Sequence, residues 1–226
     1  MNTIEQTLRS RPIPFSAPMV RAILDGTKTQ TRRIVKDHPG DAWVHDGFGR
    51  ITSKHPRQGR FGLFVRRGLG TDFPECDIVP CPYGQPGDGL WVREHWRAPA
   101  SCDHLPPRSI CDSEPLQFIA DETTGAEAGF GKARRAFHMP RWASRITLEI
   151  VSVRVERLQA ISEADALAEG VAGEQEAAEA GLSWHDKPRR AFRFLWQSIN
   201  GADSWDANPW VWVVEFKRVE PGRAAA

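Results

Sequence analysis

Several features that would assign this chain to a common class are absent. Its 226 residues carry a formal net charge of only +1. Proteins that wrap long nucleic acid show a strong basic excess, so we do not expect that task here. No apolar run reaches the roughly 18 residues of a membrane-spanning helix. The N-terminus, MNTIEQTLRSRPIPF, lacks the apolar core of a signal peptide, and we therefore expect a cytoplasmic protein.

Sequence motifs of the common enzyme classes are missing as well. We find no Walker loop, Rossmann glycine pattern, zinc-protease motif or nucleophile elbow. The sequence contains four cysteines, namely Cys76, Cys81, Cys102 and Cys111. They include no C-x-x-C pair, and their spacing to His95 or His104 fits no standard zinc template. We therefore favour thiols without a metal and predict no cofactor.

The periodic segments of the chain predict an α+β protein. SAPMVRAILDG and ISEADALAEG have helix start signals and end in glycine. KPRRAFRFLWQSING predicts an amphipathic helix with Phe192, Leu195, Trp196 and Ile199 inward. ITLEIVSVRVERLQ and NPWVWVVEFKRV have the alternation of strands. We expect a small barrel-like sheet with helices at its openings.

The irregular segments of the chain suggest insertions into a smaller core. Both are rich in turn-forming and polar residues, and we expect them to be mostly loop, apart from a strand within GRFGLFVRRG and a short one at FIADE. The predicted organisation is a flexible lead at 1–14, a single domain at 15–220 with insertions at about 37–86 and 98–140, and a tail at 221–226.

The polar stretch LDGTKTQTRR is the first candidate site. Lys28 and Thr31 are three residues apart, close enough for both side chains to point to one side of a turn or early strand. A lysine with a lowered pKa can remove the proton from a threonine hydroxyl and make it a nucleophile. Arg32 and Arg33 would lower that pKa by repulsion, or would bind a phosphate or carbonyl oxygen. The alternative is a solvent-exposed strand edge without any chemical role.

Glu169 is the second candidate, because it precedes the glycine that ends ISEADALAEG. An acid at a helix C-terminus is disfavoured by about 0.3–1 kcal/mol, and a cation nearby would remove this penalty. The alternative is an exposed acid at a frayed helix end.

A third group of candidates lies in LWVREHW and in the turn before the last strand. Arg93, Glu94 and Trp96 combine a tryptophan face with charged neighbours, which suits a stacked base. In the alternative, the tryptophans belong to the core and the charges to the surface. Asn208, in Asn-Pro-Trp, would shape a pocket rim or merely begin a strand.

The spacing Gly26-x-Lys28-x-x-Thr31-x-Arg33 resembles the signature of the ASCH domain family, whose fold is a PUA-like β-barrel. Many members carry glutamate where this chain has Thr31. A threonine there resembles the small bacterial amidohydrolases that act on N4-acetylcytidine. Their lysine, threonine and glutamate match Lys28, Thr31 and, by its place in ISEADALAEG, Glu169. The chain resembles phage and prophage ASCH-type proteins over about half its length, and it is about twice as long as the compact amidohydrolases.

Three functions follow from the residues and the resemblance. The first is an amidohydrolase that removes an acyl group from a modified pyrimidine nucleoside or nucleotide, with Lys28, Thr31 and Glu169 as catalytic residues. The second is a non-catalytic module that binds RNA, DNA or a modified base, and the third is a ribonuclease. The expected partner is a modified nucleoside or a short nucleic acid, and the sequence leaves the oligomeric state open.

Overall fold

A computed structural model of the chain describes residues 10–36, 38–52, 54, 56–68, 75–171 and 187–219. In these residues the helices are α1 (Ala17–Leu24), α2 (Glu163–Ala168) and α3 (Pro188–Asn200). The strands are β1 (Ser10–Pro14), β2 (Gln30–Ile34), β3 (Val44–Arg50), β4 (Phe61–Arg67), β5 (Glu75–Pro80), β6 (Gly89–Arg93), β7 (Trp96–Arg97), β8 (Gln117–Phe118), β9 (Thr147–Arg157) and β10 (Trp210–Val219). The mixture of many strands and few helices confirms the α+β class.

The described strands form open sheets of five, three and two strands. None of these sheets closes on itself, so the expected barrel is not seen in the part of the chain that the structure describes. The predicted tail at 221–226 lies outside the described residues, as does the predicted lead up to residue 9. Residues Ser10–Pro14 of that lead form strand β1 rather than a flexible segment.

The described residues divide into two compact units. Unit 1 takes its residues from Met1–Thr29, Gly87–Glu149 and Lys217–Ala226, and unit 2 from Gln30–Pro86 and Ile150–Phe216. No described helix is long and apolar enough to cross a lipid bilayer.

Unit 1 is built on three paired strand segments and a buried cluster. Strand β1 runs parallel to β6, which pairs antiparallel with the start of β9. The region 98–140, expected to be mostly loop, contains the short strand β8 and several single turns of 3-10 helix. A cluster in this unit buries Trp96, Ala98, Cys102, Ile110, Met139 and Ala143. This cluster explains how a segment with little regular structure is held in place.

Unit 2 contains a sheet that the sequence did not reveal. Strands β3, β4 and β5 pair as an antiparallel meander within the region 37–86. Only the strand around Phe61–Arg67 was expected there, so the prediction that the rest is loop is wrong. Strand β2 pairs antiparallel with β10, with Thr31 opposite Val214.

Helices α1 and α2 end as the sequence predicts. Each is followed by one capping residue and then by a glycine with positive φ, Gly26 at 78° and Gly170 at 71°. This left-handed conformation costs a residue with a side chain more than it costs glycine, which is why glycine marks helix ends. In α2 the capping residue is Glu169, so the candidate carboxylate is held at a defined helix end.

Helix α3 covers the core of unit 2. Phe192 and Trp196, one turn apart, pack against residues of α2 and β10. Ile199, expected to face inward, is 54% exposed because it lies in the last turn of the helix, beyond the cluster that α3 covers. The amphipathic pattern therefore predicted the helix correctly and its buried face only in part.

Candidate functional site

The polar run that leads into β2 is buried. Lys28, Gln30, Thr31 and Arg32 have between 1% and 4% of their surface exposed. A solvent-exposed strand edge would show the opposite pattern. Burying polar and charged groups is costly unless they are paired or hydrogen-bonded, so this run must have specific partners.

Strand alternation divides these side chains between two faces of β2. Successive side chains point to opposite faces, which places Gln30 and Arg32 on one face and Thr31 and Arg33 on the other. The two adjacent arginines therefore point to opposite faces of the strand.

Arg32 is enclosed by carboxylates. Its side chain has no exposed surface, and its guanidinium lies 2.5 Å from Glu156, 3.3 Å from Asp165 and 3.3 Å from Glu169. A guanidinium without exposed surface that lies against three carboxylates is not accessible to a substrate. We therefore correct the expectation that Arg32 contacts substrate: its role is to hold three acidic side chains of unit 2 together.

Asp165 links α2 to β2 and β9. It forms a capping box with Ser162 at the start of α2, and it also accepts hydrogen bonds from Gln30 at 3.1 Å and Arg154 at 2.7 Å. Burial acts to raise its pKa, but the hydrogen bonds from Gln30 and Ser162 and the charge of Arg32 outweigh burial and lower the pKa to about 2. Asp165 is thus ionised at neutral pH and anchors the helix that carries Glu169.

Glu169 is 3% exposed and follows the last residue of α2. The helix dipole disfavours an acid at this position. Arg32 supplies the compensating cation through its Nη1, 3.3 Å from the carboxylate. Glu169 is therefore buried beside a cation and is not an exposed acid at a frayed helix end, and its catalytic role stays a prediction.

Arg33 lies on the same face of β2 as Thr31. Burial lowers its pKa, while the electrostatic interactions with Tyr83 and Glu169 act in the opposite direction. An arginine stays protonated at neutral pH even so. Burial also raises the pKa of Tyr83, so its hydroxyl stays protonated. Tyr83, the single tyrosine of the chain, was missed by the sequence analysis because nothing in its local sequence links it to β2.

Lys28 belongs to unit 1 and is 2% exposed. Its backbone N–H donates to Ala22 O at 2.9 Å, which folds the chain after Gly26 back onto α1. Its ammonium group lies 5.7 Å from the centre of the Phe15 ring. Lys28, Thr31 and Glu169 are thus each buried, and their grouping into one catalytic constellation stays a prediction.

The candidates in LWVREHW are arranged differently from the expectation. Trp96 has no exposed surface and lies in the core cluster of unit 1, so we no longer expect it to stack on a base. Glu94 is 1% exposed, and Arg145 binds both of its carboxylate oxygens, at 2.9 and 3.0 Å. Burial raises the pKa of Glu94 although Arg145 opposes the shift. Glu94 is a structural ion-pair partner in this arrangement.

Arg93 lies close to two aromatic rings of unit 1. Its guanidinium carbon is 4.6 Å from the ring centre of Trp91 and 5.9 Å from that of Phe137. Phe137 is 71% exposed. An arginine held against an exposed ring remains suited to a stacked or anionic ligand.

Asn208 shapes the turn before β10. It has a positive φ of 42°, which asparagine tolerates better than most residues. Its side-chain oxygen accepts a hydrogen bond from Gln159 N at 2.9 Å, and its backbone oxygen accepts one from Arg157 at 3.0 Å. The side chain thus holds the turn, and the substrate contact predicted for it has no support in these bonds.

Comparisons of the chain with protein-family models, with curated proteins and with solved structures found no match. Among the described residues, no group of three or more histidine, cysteine, aspartate or glutamate side chains is arranged to hold a metal ion.

Proposed function

We propose that the protein is an amidohydrolase that removes an acyl group from a modified pyrimidine nucleoside or nucleotide such as N4-acetylcytidine. The observation that carries the proposal is the burial of Lys28, Thr31 and Glu169, each with 3% or less of its surface exposed. Burial favours the neutral form of a lysine, which is the form that can act as a base. Membership of the ASCH family, with its PUA-like fold, is part of the same proposal and rests on the motif around these residues.

In the proposed reaction, the hydroxyl of Thr31 gives its proton to Lys28 as its oxygen forms a bond to the acyl carbon. The amide C–N bond then breaks, and the proton passes to the leaving amine. Water hydrolyses the resulting ester and releases the carboxylic acid. Glu169 orients the lysine or relays the proton. Arg33, on the same strand face as Thr31, stabilises the negative charge on the carbonyl oxygen.

The different positions of Arg32 and Arg33 support the role assigned to Arg33. Arg32 is held by three carboxylates, whereas strand alternation places Arg33 on the face of the proposed nucleophile. Oxyanion stabilisation is therefore assigned to Arg33 alone, where the sequence left both arginines as candidates.

The test is the release of cytidine and acetate from N4-acetylcytidine by the purified protein. Thr31→Val removes the hydroxyl with little change in volume and is expected to lower kcat roughly a thousandfold or more, whereas Thr31→Ser keeps a nucleophile and is expected to retain part of the activity. Lys28→Arg introduces a group that stays protonated and cannot accept the proton of Thr31, and it is expected to be inactive. Thr29→Val, at an exposed threonine nearby, is the matched control.

Two outcomes would overturn the proposal. Equal activity of Thr31→Val and Thr29→Val would exclude the hydroxyl of Thr31 as the nucleophile. Binding of N4-acetylcytidine by the wild type without any turnover would favour the alternative of a non-catalytic binding module.

A further inference from the structure

A cleft of about 550 Å³ opens in unit 1, within the region 98–140. Ligand pockets commonly measure about 300–1,000 Å³, so the cleft is large enough for a nucleotide. Its ionisable lining residues are Asp103, His104, Lys132, Arg134, Arg135 and His138. Three of these side chains are fixed cations and one is a carboxylate, although the whole chain carries a net charge of only +1. The lining therefore carries more fixed positive charges than negative ones.

The hydrogen bonds within the cleft leave most of this charge in place. Lys132 Nζ donates to the backbone oxygen of Asp103 at 2.6 Å. The guanidinium of Arg134 donates to the backbone oxygens of Cys102 at 2.7 Å and Leu105 at 3.1 Å. Carbonyl oxygens satisfy these donors without cancelling a full charge. The cleft therefore keeps a positive potential suited to an anion.

The one carboxylate of the cleft is used within the protein. Asp103 accepts two hydrogen bonds from the backbone N–H of Lys132, both at 3.1 Å, and lies 3.8 Å from Arg134. It packs so closely against Gly131 that a Cβ there would lie 2.3 Å from its oxygen. Asp103 thus fixes the turn that carries Lys132. Arg135, by contrast, is exposed to solvent in the cleft wall.

An exposed aromatic ring adjoins the cleft. Phe137 is 71% exposed and contacts the lining residue His138 edge-on, with ring centres 5.4 Å apart. The guanidinium of Arg93 lies 5.9 Å from the centre of the same ring. Aromatic side chains beside a cationic groove are the arrangement on which nucleic-acid bases stack.

We propose that this cleft binds a nucleoside phosphate, with the phosphate group beside Arg135 and Lys132 and the base stacked on Phe137. The proposal does not rest on amide hydrolysis, and none of its residues belongs to the proposed catalytic group. A free mononucleotide and a short single-stranded oligonucleotide both present a phosphate group and a base. The experiment below distinguishes these two ligands.

The experiment is calorimetric titration of the full chain at low salt with cytidine monophosphate, cytidine, inorganic phosphate and a four-residue single-stranded oligonucleotide. The monophosphate is expected to bind more tightly than cytidine or phosphate, and its affinity is expected to fall as salt is added. Tighter binding of the oligonucleotide would identify a strand as the ligand, and equal binding would identify a mononucleotide.

Variants at exposed positions test the assigned contacts without disturbing the core. Arg135→Ala is expected to weaken binding of the monophosphate about tenfold, the effect of losing one charged hydrogen bond. Phe137→Ala is expected to weaken binding of the monophosphate but not of inorganic phosphate. Arg60→Ala, at an exposed arginine of unit 2, is the matched control.

The proposal is overturned if neither the monophosphate nor the oligonucleotide binds at low salt. It also fails if Arg135→Ala binds as well as Arg60→Ala, or if cytidine monophosphate and inorganic phosphate bind equally. Since the readout is binding, loss of hydrolysis in the assay on N4-acetylcytidine leaves these outcomes unaffected.

Discussion

Replacing Arg32 by methionine is expected to destabilise the protein strongly. Methionine keeps much of the length of the arginine side chain but removes its charge and its donors. The change leaves Glu156, Asp165 and Glu169 without the cation that lies within 3.3 Å of all three. Arg154 still lies 3.3 Å from Glu156 and 2.7 Å from Asp165, so the largest loss falls on the buried Glu169 at the end of α2.

The expected loss in the free energy of unfolding follows from the burial of the Arg32 guanidinium. Removing one partner of a buried ion pair costs about 3–5 kcal/mol. The side chains of Glu156 and Asp165 are 21% and 24% exposed, so water relieves part of the penalty and we expect about 3 kcal/mol, the lower end of that range. For a chain of this size the melting temperature shifts by about 2–4 °C per kcal/mol, which gives a decrease of about 6–12 °C.

The assay is urea unfolding, followed by tryptophan fluorescence and by circular dichroism. Arg193→Met is the control: Arg193 is 44% exposed and lies 3.5 Å from the exposed Asp206, so its loss should cost no more than about 1 kcal/mol. The double variant Arg32→Met/Glu169→Met should lose less stability than the sum of the single variants. If Arg32→Met is no less stable than Arg193→Met, the three carboxylates do not depend on Arg32 and the predicted loss of stability is wrong.

Three further predictions concern the cap of α2, the carboxyl group of Asp165 and the pair His38 and His45. Ser162→Ala removes the cap of α2 and should lower the free energy of unfolding by about 1 kcal/mol in the same urea assay. Ser162→Asp keeps a capping oxygen and should retain most of that stability. Because the pKa of Asp165 is lowered from 3.8 to about 2, its contribution to stability is complete above pH 3.8 and is lost as the pH falls through about 2; acid titration of Asp165→Asn should lack this loss. Burial lowers the pKa of His38 and of His45, whose Nε2 atoms lie 3.1 Å apart. The contribution of the two neutral histidines to the free energy of unfolding is complete above pH 6.5 and is lost as the pH falls through the lowered pKa values. The urea midpoint should therefore depend less on pH in His45→Phe than in the wild type.

Local signals in the sequence were sufficient for the helices. The capping pair Ser162 and Asp165 and the glycines after α1 and α2 act within a few residues, so their effect is readable from a short segment. Strands β3 and β5 were missed for the opposite reason. Their sequences, VHDGFGR and ECDIVP, show no clean alternation, and they are strands because β4 pairs with both.

The burial of Trp96 matches the alternative in which the tryptophans belong to the core. Val92, Glu94 and Trp96 are buried and His95 is exposed, although β6 ends at Arg93 and β7 begins at Trp96. Alternation predicts which side chains share a face. It does not predict whether a buried tryptophan packs in the core or contacts a ligand, since only the fold decides that.

The surroundings of Arg32 could not be read from the sequence, because its partners are far away along the chain. Glu156 is separated from it by 124 residues and Glu169 by 137. Only the fold brings them together, and no local pattern marks an arginine that will be buried among distant acids. The burial of Lys28 and Thr31 could not be predicted either, because their local sequence is as polar as that of an ordinary loop.

The structure separates two roles within a single polar run, and this determines which variants are informative about function. Arg32 connects β2 to α2, so loss of hydrolysis in an Arg32 variant would report on the integrity of the fold and not on chemistry. Thr31, on the opposite face, is 3% exposed and lies opposite the apolar Val214, so an isosteric Thr31→Val change removes a hydroxyl without removing an ion pair. Activity lost in Thr31→Val at unchanged stability therefore has only a chemical explanation, and this makes Thr31 the residue at which the catalytic hypothesis is decided.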